Sequence, residues 1–184
     1  MDGGEWTINL GKRIEVRLRG FNDPNLRVFF DYHTVGTEDG RKNDRIVSRM
    51  SVDGLKGRAT WLSFLDLAVT YRGEALVLCE VEEGHSTPKK IIGDTCNLLY
   101  ADFIKVGRSR FGLNNYQFFY GLAYQDGGQG SIRAEEMQRR ITAPIRKDAL
   151  DRMRIEIVAA PSCEEMIAKL EDKIIGEVGR RLSQ

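Results

Sequence analysis

The sequence has few of the residues that mark several common protein classes. It contains three cysteines, two histidines and four prolines among 184 residues. Cys79, Cys96 and Cys163 form no Cys-x-x-Cys pair, so we expect neither a disulfide framework nor a structural zinc site. No apolar segment has the length of a signal sequence or of a membrane span. We therefore expect a cytoplasmic protein that does not enter a membrane.

The chain also lacks a large excess of charge of one sign. Lys and Arg number 28 and Asp and Glu number 27, which gives a formal net charge of +1. This balance argues against a globally basic nucleic-acid binder, but it allows a local basic channel. The composition, 41% hydrophobic and 30% charged, is that of an ordinary globular protein. We expect residues 1–184 to form a single domain.

Two apolar segments with acids among them organise the sequence. Asp66 lies in the first segment, and the second runs without a polar residue from Ala75 to Cys79 before reaching Glu80 and Glu82. Such a run is typical of a strand that is buried on both faces. Glu80 and Glu82 are two residues apart, so both point to the same face of that strand.

Whether Asp66 joins them depends on the hairpin between the two segments. A three-residue loop, 72–74, places Asp66 directly opposite Glu80, and Gly73 suits such a loop. A loop of two or four residues places the two acids on opposite faces, unless a β-bulge restores the register. The sequence leaves these alternatives open.

Three converging carboxylates indicate a metal site. Their mutual repulsion raises their pKa values, and a divalent cation relieves it. Oxygen ligands of this kind favour Mg²⁺ or Mn²⁺. A cation held by Asp66, Glu80 and Glu82 would lower the pKa of a bound water and neutralise charge on a phosphate, which is the chemistry of phosphodiester hydrolysis.

At these residues the chain resembles the PD-(D/E)xK nuclease superfamily. The superfamily pattern is an Asp on one strand, a short hairpin, and then an acid, any residue and a Lys on the next strand. Here the pattern reads Asp66 and then Glu80-Val81-Glu82, with Glu82 in the position of the Lys. The resemblance covers residues 60 to 125 and implies a restriction-endonuclease-like core over about residues 60–160.

Three residues are candidates for the role of the missing Lys. Glu82 itself could act as a base or metal ligand, as in some restriction enzymes of the superfamily. Alternatively, Lys89 or Lys90 could hold the phosphate or orient the attacking water. Both follow Pro88, which suits the first position of a helix, where a Lys opposes the helix dipole. His85 lies in the preceding loop and is a candidate phosphate contact, although an incidental surface position explains it too.

The remaining segments predict a mixed β-sheet flanked by helices, an α/β fold. Alternating residues 6 to 21 predict two strands around Gly11. The helix that starts at Pro88 is expected to reach Val106, with Lys105, Arg108 and Arg110 at its far end as a nucleic-acid-binding rim or as partners of the helix dipole. Further predictions are strands over 26–35, 116–124 and 152–160, a helix that begins near Ser131 and ends before Pro144, and a last helix capped by Ser162.

Two functions follow from these expectations. The first is a Mg²⁺-dependent nuclease that acts on DNA, with RNA as a further substrate that the sequence allows. The second is a non-catalytic module of nuclease-like fold that binds nucleic acid or a protein. A nuclease that cuts both strands would also favour a symmetric homodimer. A Ser-His-Asp hydrolase and a phosphate-binding-loop enzyme are not supported, because neither motif occurs.

Overall fold

The computed structural model describes residues 4–31, 45–51, 60–82, 88–123, 135–140 and 151–184. Within these ranges the bounded helices are α1 (Glu5–Arg19), α2 (Pro88–Leu99) and α3 (Cys163–Leu182), and residues 135–140 are also helical. The strands are β1 (Leu26–Phe30), β2 (Ile46–Arg49), β3 (Trp61–Leu65), β4 (Leu67–Tyr71), β5 (Glu74–Glu82), β6 (Phe103–Val106), β7 (Ser109–Gly112), β8 (Tyr116–Ala123) and β9 (Met153–Ala160). No helix in the described ranges is long and apolar enough to cross a bilayer.

All nine of these strands belong to one mixed sheet. β4 pairs antiparallel with β1 and β5, β8 runs parallel to β5, and β9 runs parallel to β8. A second path leads from β5 through β7, β6 and β2 to β3. Because β3 continues into β4 through Asp66 alone, the chain at the end of this path leads back to β4, the neighbour of β5. The predicted α/β fold with a mixed sheet and flanking helices is confirmed.

The sheet separates two hydrophobic cores. On one face, α1 packs on β1 and on α3, and α3 packs on β5, β8 and β9, with fully buried residues such as Leu10, Ile14 and Leu170 in this core. On the other face, α2 covers a core that includes Leu78, Ile91 and Phe118. Burial of each such side chain contributes about 1.5–3 kcal/mol relative to exposure. Successive residues of β5 alternate between the two cores, so the direction of each acid at its end is fixed.

The prediction of two strands around Gly11 is wrong, because residues 5–19 form one helix. Leu10, Ile14 and Leu18 are buried at intervals of four residues, the spacing of a helix face packed on α3. A Cβ at Gly11 would lie 2.1 Å from Cγ of Phe30, so the glycine allows the helix to approach β1 closely. The local alternation of apolar residues was compatible with a strand, but the long-range contact with α3 decides the structure.

The helix that starts at Pro88 ends at Leu99 rather than at Val106. The Asp102 N–H donates to the Arg49 carbonyl over 2.8 Å, and the Asp102 carboxylate accepts from the Ser51 N–H over 2.5 Å. These bonds join the chain to the end of β2 and start β6. Lys105 and Arg110 therefore lie opposite each other on the β6–β7 hairpin, and Arg108 lies in its turn, not on a helix.

The later strands and helices lie where the sequence predicts them. The aromatic segment forms β8, the following strand forms β9, and residues 135–140 are helical inside the helix predicted from Ser131. Ser162 caps α3, since its hydroxyl accepts from the Glu165 N–H over 3.2 Å. The strand that begins at Leu26 is described as far as Phe30, and residues 32–35 lie outside the described ranges.

Candidate functional site

The β4–β5 hairpin brings Asp66 and Glu80 opposite each other. Its loop has two residues, Arg72 and Gly73, with φ of 49° and 86°, as in the left-handed turns that suit two-residue hairpins. Thr70 pairs with Ala75, but Val69 pairs with Val77, so one extra residue in β5 forms a bulge. Beyond the bulge Leu67 pairs with Cys79, which brings the two acids into register. The bulged two-residue loop, not the three-residue loop, is the alternative that the chain adopts.

Asp66 and Glu80 form a hydrogen-bonded carboxyl pair. Asp66 also accepts from the Val81 N–H over 2.7 Å. Burial raises the pKa of Asp66, although its hydrogen bonds with Val81 and Glu80 oppose this effect. Burial, together with the charges of Asp66 and Asp94, raises the pKa of Glu80 well above its usual range. Both carboxyls of the pair therefore have raised pKa values, which is the behaviour of two acids that lie close together away from water.

Glu82 lies in a second, ion-paired group beside this pair. Lys90 from the first turn of α2 forms a salt bridge with Glu82 Oε2. The Tyr120 hydroxyl donates to the same oxygen over 3.5 Å. Partial burial would lower the pKa of Lys90, but the hydrogen bond and charge of Glu82, with the charges of Glu80 and Asp94, raise it. Lys90 is thus a cation at neutral pH and is not a general base.

Asp94 is a member of the site that the sequence analysis missed. It follows Lys90 by four residues on α2, and its charge acts on Glu80. Burial raises the pKa of Asp94, with Lys90 opposing and Glu82 adding to the shift. Asp94 Oδ2 and Glu80 Oε1 are both buried without a hydrogen-bond partner among the described residues. The helical spacing from Lys90 was the available signal, since residues four apart share one helix face.

The structure brings some of the predicted residues together and separates others. Lys90 contacts Glu82, whereas Lys89 is exposed on the same turn of α2. His85 lies outside the described residues. Lys105 and Arg110 occupy a different sheet face, where the Arg110 guanidinium carbon lies 3.8 Å from the centroid of the Phe103 ring. Arg108 is exposed in the turn that precedes β7.

The donor chemistry of the site suits a hard divalent cation, but the ligand set is incomplete. Among the residues that the structure describes, no three His, Cys, Asp or Glu side chains form a ready group for a metal ion. Two facing carboxylates are nevertheless present, and Glu80 Oε1 is a buried acceptor without a partner in the described part of the chain. Asp66 and Glu80 are the residues that would hold Mg²⁺ or Mn²⁺, while Glu82 is held by Lys90.

Comparison with known proteins gives no relative: no protein-family model, curated protein or solved structure matches the chain.

Proposed function

We propose that the protein is a Mg²⁺- or Mn²⁺-dependent nuclease that hydrolyses phosphodiester bonds, with DNA as its substrate. The Asp66–Glu80 pair is the observation that carries this proposal. Two largely buried carboxyls with raised pKa values lie together, Asp66 between β3 and β4 and Glu80 in β5, and a buried oxygen of Glu80 has no partner among the described residues. Buried acids without compensation destabilise a fold, so a site that binds a cation accounts for them.

The neighbouring side chains have separate roles in this proposal. Asp66 and Glu80 would hold the cation, which would supply an activated water and neutralise charge on the phosphate. Lys90 would bind a phosphate oxygen, because its ammonium group is charged and half-exposed. Glu82 orients Lys90 through their salt bridge, and the Tyr120 hydroxyl orients Glu82. Glu82 occupies the position of the Lys in the superfamily pattern, and the ammonium group of Lys90, from α2, lies beside it.

The topology supports the same proposal. The hairpin β4–β5 carries the acids, α2 follows it, and β8 returns parallel to β5. This is the order of hairpin, helix and parallel strand that the resemblance to the PD-(D/E)xK superfamily implies. A cytoplasmic location and a homodimer that presents two sites are further parts of the proposal.

Cleavage assays test this function. Single-stranded, double-stranded and branched DNA, together with RNA, are incubated with the protein and Mg²⁺ or Mn²⁺. We expect cleavage by the wild type that is lost in Asp66→Ala and strongly reduced in Lys90→Ala. Lys89→Ala is the matched control, because it removes the same charge from an exposed position on the same helical turn. Undiminished cleavage by Asp66→Ala, in protein of unchanged circular dichroism, would refute the assignment.

The second candidate is a non-catalytic module that binds nucleic acid or a protein partner. The Lys90–Glu82 salt bridge favours it, because both groups neutralise each other where the reaction would take place. The incomplete ligand group among the described residues favours it as well. Binding of DNA with no cleavage in either metal, and no effect of Asp66→Ala on that binding, would select this alternative.

A further inference from the structure

One face of the sheet, which begins beside Asp66 at the end of β3, combines aromatic and basic side chains. The strands β3, β2, β6 and β7 pair in that order. Their inward residues, which include Ile46, Leu65, Ile104 and Phe111, lie in the core beneath α2. We call the side of these strands opposite to that core the outer face. Cross-strand partners share a face, so the residues of the outer face form two rows. One row is Phe64, Val47, Lys105 and Arg110, and the other is Trp61, Arg49 and Phe103.

The side-chain contacts on this face agree with the register. The Trp61 and Phe64 rings meet edge to face, with centroids 5.6 Å apart. The guanidinium carbon of Arg45, which precedes β2, lies 4.8 Å from the Phe64 centroid, and that of Arg49 lies 5.5 Å from the Trp61 ring. The contacts form two groups, one around Trp61 and Phe64 and the other between Arg110 and Phe103, and the register places the two groups side by side across the buried Val47.

The four strands that carry the outer face have charge of one sign, whereas Asp66 and Asp102 adjoin β3 and β6. The four strands contain no Asp or Glu, whereas Arg49, Lys105 and Arg110 lie on them and Arg45 adjoins them. The guanidinium groups of Arg45 and Arg110 stack on rings through their flat faces, so the N–H groups in their planes point towards positions where phosphate oxygens can bind. Phe64 is 42% exposed, so part of its ring is open to a further planar group.

We propose that the outer face binds single-stranded nucleic acid. Arg and Lys would contact phosphates, and the aromatic rings would stack on bases that are not already stacked in a duplex. The rows cross four strands, or about 14 Å at the usual strand spacing. Phe64 is two residues from Asp66, so a strand bound here would reach the carboxylates. The path to Asp66 rests on the proposed nuclease function, whereas the binding surface does not.

Fluorescence anisotropy with a labelled 20-residue oligothymidylate tests the proposal. The full chain is used in EDTA, so that binding is measured without cleavage. We expect Phe64→Ala to weaken binding roughly 5- to 150-fold, the range for loss of one base–aromatic stack. Phe64→Tyr, which keeps a ring, should restore it. Phe21→Ala is the matched control, because Phe21 is 36% exposed and lies after α1, outside the four strands of the outer face.

The salt dependence provides a second readout that does not depend on an aromatic substitution. Loss of Lys105 and Arg110 to Ala should reduce the slope of log K against log salt by about 1.4, since each phosphate contact to a single strand contributes about 0.7. The pair Lys12→Ala and Arg27→Ala, exposed elsewhere, should leave the slope unchanged.

Three outcomes would overturn the proposal: no binding of the oligothymidylate, equal losses in the outer-face variants and their controls, or equally tight binding of a duplex of the same length. A matching oligouridylate distinguishes RNA from DNA as the preferred strand. Binding is measured in EDTA and cleavage is measured separately with Mg²⁺ or Mn²⁺. If the nuclease proposal fails, the protein will bind the oligothymidylate but will not cleave DNA. If the outer-face proposal fails, binding will not depend on the outer-face residues or will not favour a single strand.

Discussion

Replacing Glu80 by Gln should make the protein more stable, and the gain should grow with pH. Glu80 has its pKa raised by burial and by the charges of Asp66 and Asp94, while Lys90 opposes the shift. Above its unfolded value near 4.5, the unfolded chain has lost this proton and the folded chain retains it. Since the folded state then binds more protons, the free energy of unfolding falls as pH rises until the folded pKa is passed.

The magnitude follows from linkage. One group lowers the free energy of unfolding by at most about 1.4 kcal/mol for each pH unit between its unfolded and folded pKa values. A Gln at position 80 has no such proton, yet its amide can still donate to Asp66. The difference in stability between Glu80→Gln and the wild type should therefore increase from pH 5 to pH 8 at up to this rate. Groups that titrate alike in both proteins cancel in the difference.

Urea unfolding at a series of pH values measures this difference, and Glu177→Gln provides a control of opposite sign. Burial would raise the pKa of Glu177, but its hydrogen bonds to Arg180 and Arg181 outweigh burial and lower it. Its stabilisation is present above the unfolded pKa near 4.5 and is lost as pH falls towards the folded value. Glu177→Gln should thus destabilise most at neutral pH. A constant difference between Glu80→Gln and wild type from pH 5 to pH 8 would refute the reasoning.

Three further predictions concern the scaffold and can be measured by urea or thermal unfolding. Gly11→Ala should destabilise the protein by about 1–3 kcal/mol, because the added Cβ would overlap the Phe30 ring. Gly176→Ala is the control and should stabilise the protein by up to about 1 kcal/mol, because the space around Gly176 is open. Equal effects of the two substitutions would contradict the close contact at Gly11. Ser162→Ala should cost about 1 kcal/mol through loss of the α3 cap, and Ser162→Asp should not. Arg72→Asn should stabilise by up to about 1 kcal/mol, because Asn tolerates the positive φ of the turn better; a loss of stability would exclude strain there.

The acids of the hairpin could be located from the sequence because their arrangement depends on local periodicity. The shared face of Glu80 and Glu82 follows from their spacing of two residues. The sequence did not decide whether Asp66 faces Glu80. A two-residue loop with a bulge beside Val77 places Asp66 opposite Glu80 in the same way as a three-residue loop without a bulge. That choice depends on the left-handed conformation of Arg72, which is uncommon for Arg, so the residue at this position did not indicate the two-residue turn.

Other features depended on contacts between distant parts of the chain. Residues 5–19 are helical because their apolar face packs on α3, more than 140 residues later. The outer face was hidden by the expectation of a helix as far as Val106, which placed Lys105 and Arg110 at a helix end instead of opposite each other. Asp94 required the rotational position of α2 over the sheet, although its spacing from Lys90 was visible in the sequence.

Calorimetric titration of the full chain with Mn²⁺ tests the central claim most directly. We expect the wild type to bind Mn²⁺, Glu80→Gln to lose this binding, and Glu177→Gln to retain it, because only Glu80 lies in the proposed cation site. Absence of Mn²⁺ binding by the wild type, or binding that Glu80→Gln leaves unchanged, would contradict the claim that the Asp66–Glu80 pair is a site for a divalent cation.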